Sequence, residues 1–304
     1  TGAPRGRDLA DLPGRKEAAA NIQIGIEFLA NVAFEHTKSI GRRVIVLGGG
    51  NTAMDCCRTS RRLGGEQVQV LVRSPFKDMK ASPWEIEDAM HEDIPIHENH
   101  VPKSFDIHDG RLVGMTFEKV KAVYDEKGKR SLVPTGEPLV FVEADDVLIA
   151  VGQENAFPWI ERDLGIEFDK WEVPVLNSET FQSTLPRVFF GGDAALGPKN
   201  VITAVAHGHS AAVSIHLYCQ GKDLVADRPS PYTNLVSQKM GIHEWMYDSA
   251  VAADLRYAVP HADKRETLTN RKKEVELGFD EQLAFKEAQR CLNCDVQTVF
   301  TPTS

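Results

Sequence analysis

Residues 43–54 read Arg-Val-Ile-Val-Leu-Gly-Gly-Gly-Asn-Thr-Ala-Met, and this stretch decides the fold. A short, β-branched apolar run that ends in glycines is typical of a buried parallel strand entering a tight turn. Thr52–Leu63 contains neither Pro nor Gly and predicts a helix that the glycines at 64–65 would end. Val68–Val72 is a second apolar run. Strand, helix and strand therefore form one β-α-β unit of about thirty residues, the usual length.

The rest of the chain continues this mixture, so the predicted fold class is α/β. Alternating apolar and polar residues over Gly110–Val142 predict antiparallel strands. Further helices are predicted at about 17–35, 83–92, 200–220 and 280–291, and further buried strands at 146–152 and 187–193. The helix at 200–220 carries an amphipathic stripe of Val201, Val205, Gly208, Ala212 and Ile215. Prolines punctuate residues 223–260, which predicts a linker or a surface-wrapping tail.

Each small residue of the glycine turn has a structural role in a dinucleotide-binding site. In Gly48-x-Gly50-x-x-Ala53 the first glycine permits the turn, the second lets backbone approach a diphosphate, and the small alanine lets helix pack on strand. The helix N-terminus then offers free N–H groups to phosphate. Its place between a strand and a helix favours a dinucleotide site over an ordinary turn. The residues predicted to hold the diphosphate of a nicotinamide cofactor are Gly48, Gly49, Gly50, Asn51, Thr52 and Ala53.

The end of the second strand indicates which nicotinamide cofactor fits. A carboxylate there would bind a ribose 2′-hydroxyl and repel a 2′-phosphate. This chain has Arg73 and Ser74 instead, with Lys77 and Lys80 nearby, and these donors match phosphate oxygens. The sequence therefore predicts NADP(H) rather than NAD(H); the alternative is that Arg73 is a solvated loop residue.

A second glycine-rich strand end reads Gly191-Gly192-Asp193. An aspartate beside two glycines can accept hydrogen bonds from sugar or ribityl hydroxyls that approach the backbone closely. The predicted helix that opens at Asn200 would direct its positive end at the same ligand. The alternative is an ordinary turn, since Gly-Gly-Asp is common in turns. His207 and His209 lie on that helix and are interpreted as scaffold rather than as a proton shuttle.

Bulk properties limit the possible partners. The net charge of −9 and pI near 5.6 argue against binding to nucleic acid or to anionic membranes, because proteins that bind such polyanions present a basic surface to them. No apolar run is long enough to cross a bilayer, and no signal peptide is evident, which predicts a cytoplasmic protein. Five cysteines at 56, 57, 219, 291 and 294 do not form a secreted disulfide framework. Cys56 and Cys57 are predicted to be packing residues.

Residues 41–65 resemble the NADPH-binding segment of the glutamate synthase small-subunit family, within the pyridine nucleotide-disulfide oxidoreductases. The resemblance covers about residues 1–222. It includes a Met79–Ile94 segment in which Lys80 replaces the usual Pro, the segment Ala150–Gln153, and the Gly-Gly-Asp region. It implies a flavoprotein in which NADPH reduces FAD and the flavin passes electrons to an iron–sulfur acceptor. By position, NADPH would be held by Gly48, Gly50, Asn51, Thr52 and Arg73, and FAD would be contacted by Gly192, Asp193, Val201 and Thr203. Gly152, in one of the resembling segments, is also expected to bind a cofactor.

The same resemblance predicts the domain organisation. The NAD(P) domain would be inserted in an incomplete FAD domain, giving two Rossmann-like nucleotide-binding domains. The expected segments are residues 1–40 as a residual FAD segment with a linker helix, 41–145 as the NAD(P)H domain, 146–222 as the C-terminal part of the FAD domain, and 223–304 as a tail. Only one dinucleotide fingerprint is present where the family carries two, so the chain is expected to be a fragment.

Cys291-x-x-Cys294 in the tail resembles the cysteine-bearing helix of iron–sulfur-linked members of the family. Two thiols supply half of the four ligands that an iron–sulfur cluster or a zinc site normally needs, so residues outside the chain would complete a [4Fe-4S] cluster. The alternative is two ordinary thiols. The main functional hypothesis is electron transfer from NADPH through FAD to an iron–sulfur or ferredoxin-type partner, with no catalytic side chain. The alternatives are an NADP(H)-binding or docking module without independent turnover, or a structural adaptor.

Overall fold

The computed structural model describes residues 2–126, 128, 130–229 and 254–290. They divide between two compact units, residues 1–228 and 229–304. The strands are β1 (Arg5–Gly6), β2 (Ile22–Ile24), β3 (Arg43–Leu47), β4 (Gln67–Leu71), β5 (Ile96–His97), β6 (His100–His108), β7 (Arg111–Tyr124), β8 (Arg130–Pro134), β9 (Val140–Glu143), β10 (Asp146–Ile149) and β11 (Gln153–Glu154). The α-helices are α1 (Gly25–Ala33), α2 (Asn51–Arg62), α3 (Pro83–His91), α4 (Asp193–Leu196), α5 (Val201–Cys219), α6 (Lys264–Thr269) and α7 (Glu281–Ala288).

A parallel sheet of five strands in the order β2-β10-β3-β4-β5 forms the centre of the first unit. Alternate residues of β3 face opposite sides of it, as the period of two in a strand requires. Val44 and Val46 pack with residues of α1, α2 and α3. Ile45 and Leu47 pack with β6 and β7, which form an antiparallel meander with β8 and β9. The β-α-β unit and the antiparallel region predicted from the sequence are confirmed.

One predicted helix boundary is wrong. Residues 22–24, predicted as helix, form β2 and pair in parallel with β10; Ile22 and Ile24 are both buried at this sheet edge. The strand at 146–149, assigned from the sequence to the FAD domain, lies between β2 and β3. The sheet that contains β3 therefore takes in strands from both sides of the 41–145 range.

Residues between 157 and 211 form a separate apolar cluster that includes Phe157, Phe181, Phe190 and Ala211. The strand predicted at 187–193 is not formed. Phe189 makes a single antiparallel bridge to Gln182 instead. Nearby, β1 and β11 form a two-stranded antiparallel pair.

The described part of the second unit contains two short helices, each with an aspartate at its N-cap. Asp263 accepts from the N–H groups of Arg265 and Glu266, and Asp280 accepts from Leu283. The helix predicted at 280–291 is confirmed as α7 in its described portion. No helix in the described ranges is long and apolar enough to span a bilayer.

Candidate functional site

The glycine turn lies at the carboxyl edge of the parallel sheet, between β3 and α2. This is where the strand order reverses, because β4 and β10 flank β3 on opposite sides. Gly48 has φ 137°, and a Cβ there would lie 2.1 Å from the carbonyl oxygen of Ala150. Only glycine permits this approach of the turn to the strand beside it. Crevices at such reversal points are where open α/β sheets bind ligands.

Gly50 faces open space. It is the N-cap of α2 with φ −107°, and a Cβ added to it would meet no atom within 4 Å. The first turn of a helix leaves its N–H groups without intrahelical partners, so α2 presents donors here. Ala53 is fully buried at the start of α2, which agrees with its expected role in close helix packing.

The segment before α3 is hydrogen-bonded to the glycine turn. The N–H groups of Lys80 and Ala81 both donate to the carbonyl oxygen of Gly49, at 2.8 and 2.9 Å. The Asn51 side chain accepts from the N–H of Ser82 at 2.8 Å, and its Nδ2 donates to Ser82 Oγ at 3.3 Å. The Asn51 side chain, predicted to contact the cofactor, is therefore engaged with Ser82.

The second half of the crevice comes from the segment after β10. Gln153 Nε2 donates to the hydroxyl of Thr52 at 3.4 Å, so this segment contacts the first turn of α2. Gly152 has φ 128°, and its carbonyl oxygen accepts from the N–H of Arg7 at 3.0 Å. The structure thus places Gly152 beside the glycine turn.

Arg73 and Ser74 lie just beyond the end of β4. Arg73 is exposed, and its side chain makes no hydrogen bond or ion pair with any of the described residues. Lys77, which the sequence placed in the same site, holds its ammonium 4.9 Å from the centre of the Tyr124 ring. Its neighbour Asp78 accepts from the Tyr124 hydroxyl and from Arg130, and these bonds hold the Asp78 pKa below its usual range.

A buried ion cluster joins α2 to α3, and sequence reasoning did not find it. Arg62 donates to both oxygens of Glu92 at 2.7 and 2.8 Å, and Arg58 reaches Glu92, Glu85 and Asp88. Burial tends to raise the Glu92 pKa, but hydrogen bonds and charge from the two arginines lower it overall. The available signal was spacing, because the two arginines on α2 are four residues apart.

Cys56 and Cys57 are fully buried on α2. Their thiols donate to backbone carbonyls, Cys56 to Gly25 and Cys57 to Met54. Burial raises both thiol pKa values, that of Cys57 to about 12, so neither forms a thiolate at neutral pH. Their predicted role as packing residues is consistent with these contacts.

The second glycine turn, Gly191-Gly192-Asp193, borders an open pocket of about 320 Å³ that Gly2, Lys199 and Val201 also line. Asp193 Oδ1 accepts from the Lys199 N–H, and its carbonyl oxygen accepts from Asn155. The Oδ1 atom of Asn155 is buried and has no partner among the described residues.

Two predicted residues of α5 are already engaged locally. His207 Nδ1 accepts from the Gly192 N–H at 3.2 Å, which requires a ring nitrogen without a proton and supports the scaffold role. The N–H and hydroxyl of Thr203 both donate to the Asn200 side chain.

The face of α5 nearest this pocket is uncovered. Val201, Ile202 and Val205 are 78%, 80% and 53% exposed. The helix buries Ala211, Ser214 and Leu217 instead of the predicted stripe. That stripe prediction is therefore wrong for this chain, because the apolar residues of α5 extend around more than the face that packs on the core.

The cysteines predicted as cluster ligands, Cys291 and Cys294, lie outside the described residues. Within the described ranges, no three His, Cys, Asp or Glu side chains are grouped to hold a metal ion.

Comparisons with known proteins give a consistent result. The family model described as pyridine nucleotide-disulphide oxidoreductase matches residues 1–208. The chain is 31% identical to the NADP(+)-dependent formate dehydrogenase subunit beta of Moorella thermoacetica over 92% of this chain and 40% of the relative. It is 30% identical to the NADPH-Fe(3+) oxidoreductase subunit beta of Geobacter sulfurreducens over 89% and 44%. It is also 35% identical to the glutamate synthase [NADPH] small chain of Halomonas elongata over 67% and 45%. The chain thus spans less than half the length of each of these relatives.

Solved structures share the fold. Thioredoxin reductase from T. acidophilum superposes with a TM-score of 0.54 at 20% identity, over 72% of this chain and 64% of that one. FprA from Mycobacterium tuberculosis in complex with NADPH gives 0.57 at 16% identity, over 76% and 65%.

Proposed function

The chain belongs to the pyridine nucleotide-disulphide oxidoreductase family, and from this premise we propose that it binds NADPH and forms part of an FAD site that delivers electrons to an iron–sulfur partner. The observation that carries the proposal is the glycine turn at the sheet reversal, where Gly48 is locked against Ala150 and Gly50 is open. This cradle fits a diphosphate, since a Cβ on Gly50 would occupy the space that the cofactor needs.

Within this proposal, backbone N–H groups at Gly50, Asn51 and Thr52 bind the diphosphate and the dipole of α2 adds favourable potential. Arg73 and Ser74 bind the 2′-phosphate. The free guanidinium of Arg73 supports this role, whereas Lys77 lies over the Tyr124 ring. The names of the three relatives compared above all specify NADP(H), which also supports the choice of cofactor.

The second glycine turn fits one wall of an FAD site. Asp193 supplies acceptors for hydroxyl donors, and the uncovered apolar face at Val201 suits a flat ring system. FAD, when bound, supplies hydride acceptance and one-electron donation. The residues of this chain bind and orient the two cofactors, and no side chain is required as acid, base or nucleophile.

The proposed acceptor is an iron–sulfur protein or domain. The relatives above are subunits by name, which supports partner subunits for this chain. A dithiol acceptor is disfavoured in the described part of the chain, because Cys56 and Cys57 are buried with raised pKa values. Cys291 and Cys294 remain proposed cluster ligands.

The alternative is an NADP(H)-binding or docking module, which the uncovered α5 favours because one wall holds FAD weakly. The test reconstitutes the purified chain with FAD, removes free flavin and adds NADPH without oxygen. Retained yellow colour that bleaches with NADPH supports electron transfer. A colourless chain that binds NADPH in calorimetry supports the module. A chain that binds neither cofactor overturns both, and a charge-reversing Asp193→Lys variant is the matched control for specific flavin retention.

A further inference from the structure

Residues 80–82 share four hydrogen bonds with Gly49 and Asn51 of the glycine turn. Two of them, from the N–H groups of Lys80 and Ala81, end on the carbonyl oxygen of Gly49. The other two connect Ser82 with the side chain of Asn51. We call residues 80–82 together with Asn51 the latch.

The bonds to Gly49 fix the direction of the next N–H group. A peptide unit is planar, and in the trans form its C=O and N–H point in opposite directions. The described chain contains no cis peptide bond. Because the carbonyl oxygen of Gly49 is held by two donors on one side, the N–H of Gly50 points to the other side. No described hydrogen bond uses that N–H, and the position of a Gly50 Cβ is empty.

The side chain of Asn51 is poorly placed to serve phosphate directly. Its Oδ1 is an acceptor already bonded to the Ser82 N–H at 2.8 Å, and its Nδ2 is directed at Ser82 Oγ. An acceptor oxygen repels a phosphate oxygen, so the useful contribution of Asn51 is to the latch.

We propose that the latch is a positioning element for the diphosphate site, and that the Asn51 side chain acts on the cofactor only through Ser82. This inference rests on the proposed NADPH function. The latch is itself fixed by α3, which begins directly after Ser82 and is bonded to α2 at its far end through Glu92 and Arg62. The helix that carries the phosphate-binding N–H groups and the segment that orients Gly50 therefore form one rigid pair.

A double-mutant cycle of Asn51→Ala and Ser82→Pro tests the proposal. Ser82 has φ −61°, which suits proline, so the substitution removes both bonds to Asn51 with little backbone change. Calorimetry on the whole chain would give dissociation constants for NADPH and NADH. Each single variant removes the same two bonds, of which the 3.3 Å bond is weak, and should weaken both cofactors by roughly fivefold, the factor of about one net hydrogen bond, with the NADPH-to-NADH ratio unchanged. The double variant should be no weaker than either single variant.

Multiplying losses, roughly twenty-five-fold in the double variant, would overturn the proposal, because Asn51 would then contact the cofactor independently. A changed NADPH-to-NADH ratio would also overturn it. If the unsubstituted chain binds neither cofactor, the proposed function itself fails. If the unsubstituted chain binds the cofactors and the losses of the two single variants multiply in the double variant, the proposed function is retained and only the latch proposal is refuted.

Amide exchange provides a second measurement that does not depend on the proline variant folding. NADPH should slow exchange at Lys80, Ala81 and Ser82, although these N–H groups are bonded to Gly49 and Asn51 and not to the cofactor. Asn51→Ala should abolish the slowing at Ser82, whereas the control Ser82→Ala, which keeps the Ser82 N–H bond, should retain it. Unchanged exchange at all three positions in the NADPH-bound chain would refute the latch.

Discussion

Gly48 and Gly50 stand two residues apart, yet the structure predicts opposite consequences for the same substitution. Gly48→Ala forces a side chain into a backbone conformation with φ 137°, at a cost of about 1–3 kcal/mol. Its Cβ would also lie 2.1 Å from the Ala150 oxygen, and the resulting overpacking costs about 1–3 kcal/mol more. A total near 4 kcal/mol lowers the melting temperature of a unit of this size by roughly 8–16 °C.

Gly50→Ala meets no atom within 4 Å and keeps an ordinary φ of −107°. Its cost to folding is the exchange of Gly for Ala at an N-cap, about 0.5–1 kcal/mol, or at most about 4 °C. Its Cβ instead enters the space assigned to the diphosphate, and a clash of about 1–3 kcal/mol weakens NADPH by roughly 5- to 150-fold.

The assay pairs thermal unfolding by circular dichroism with NADPH titration calorimetry on both variants. A Gly50→Ala chain that binds NADPH like the parent would refute the placement of the diphosphate at this turn. A Gly48→Ala chain that melts with the parent would refute the argument that packing requires glycine there.

Three further outcomes are expected. Arg73→Glu should weaken NADPH by about 10- to 150-fold, the range for a charged hydrogen bond, and NADH by less than about threefold; equal losses in titration would remove Arg73 from the 2′-phosphate site. Glu92→Gln should lower the free energy of unfolding by roughly 3 kcal/mol at pH 7. Because the folded pKa of Glu92 is lowered, its contribution is complete above the unfolded value of about 4.3 and is lost as pH falls through the folded value, so parent and variant should converge in denaturant melts under acid conditions. Cys56 and Cys57 should resist maleimide until the chain unfolds, while the exposed Cys219 is labelled at once. Mass spectrometry of the labelled peptides is the measurement. Label on Cys56 or Cys57 in the folded chain would contradict the prediction.

The local signals in the sequence were sufficient for the β-α-β unit but not for the sheet edge. Residues 43–71 combine a β-branched run, three glycines and a long helical stretch, and each signal supports the next. Residues 22–24 offer only Ile-Gln-Ile, which is too short for its period to distinguish strand from helix. Its strand character comes from pairing with β10, a segment far along the chain.

The candidate site shows the same difference between features that local sequence predicts and features that depend on tertiary contacts. The backbone donors of residues 48–53 could be predicted because their conformation is set by glycine and by the helix start. The partner of Asn51 could not, since Ser82 reaches it through a tertiary contact that no spacing rule describes. The α5 stripe was misjudged for a related reason: apolar residues at 201, 202 and 205 indicate burial against something, and the sequence does not specify what covers them.

This chain supplies a larger share of the proposed NADPH site than of the proposed FAD site. Around residues 48–53 the chain contributes the strand ends, the helix start, the latch and the cation at Arg73, which together make up the proposed NADPH site. Around Gly192 it contributes one turn, one helix start and an uncovered apolar face, while its relatives are more than twice as long as the matched region. NADPH affinity should therefore be nearly independent of further chain segments, whereas FAD affinity should rise steeply when they are present. A chain that retained FAD firmly but bound NADPH weakly would reverse this order and contradict the assignment of the two glycine turns.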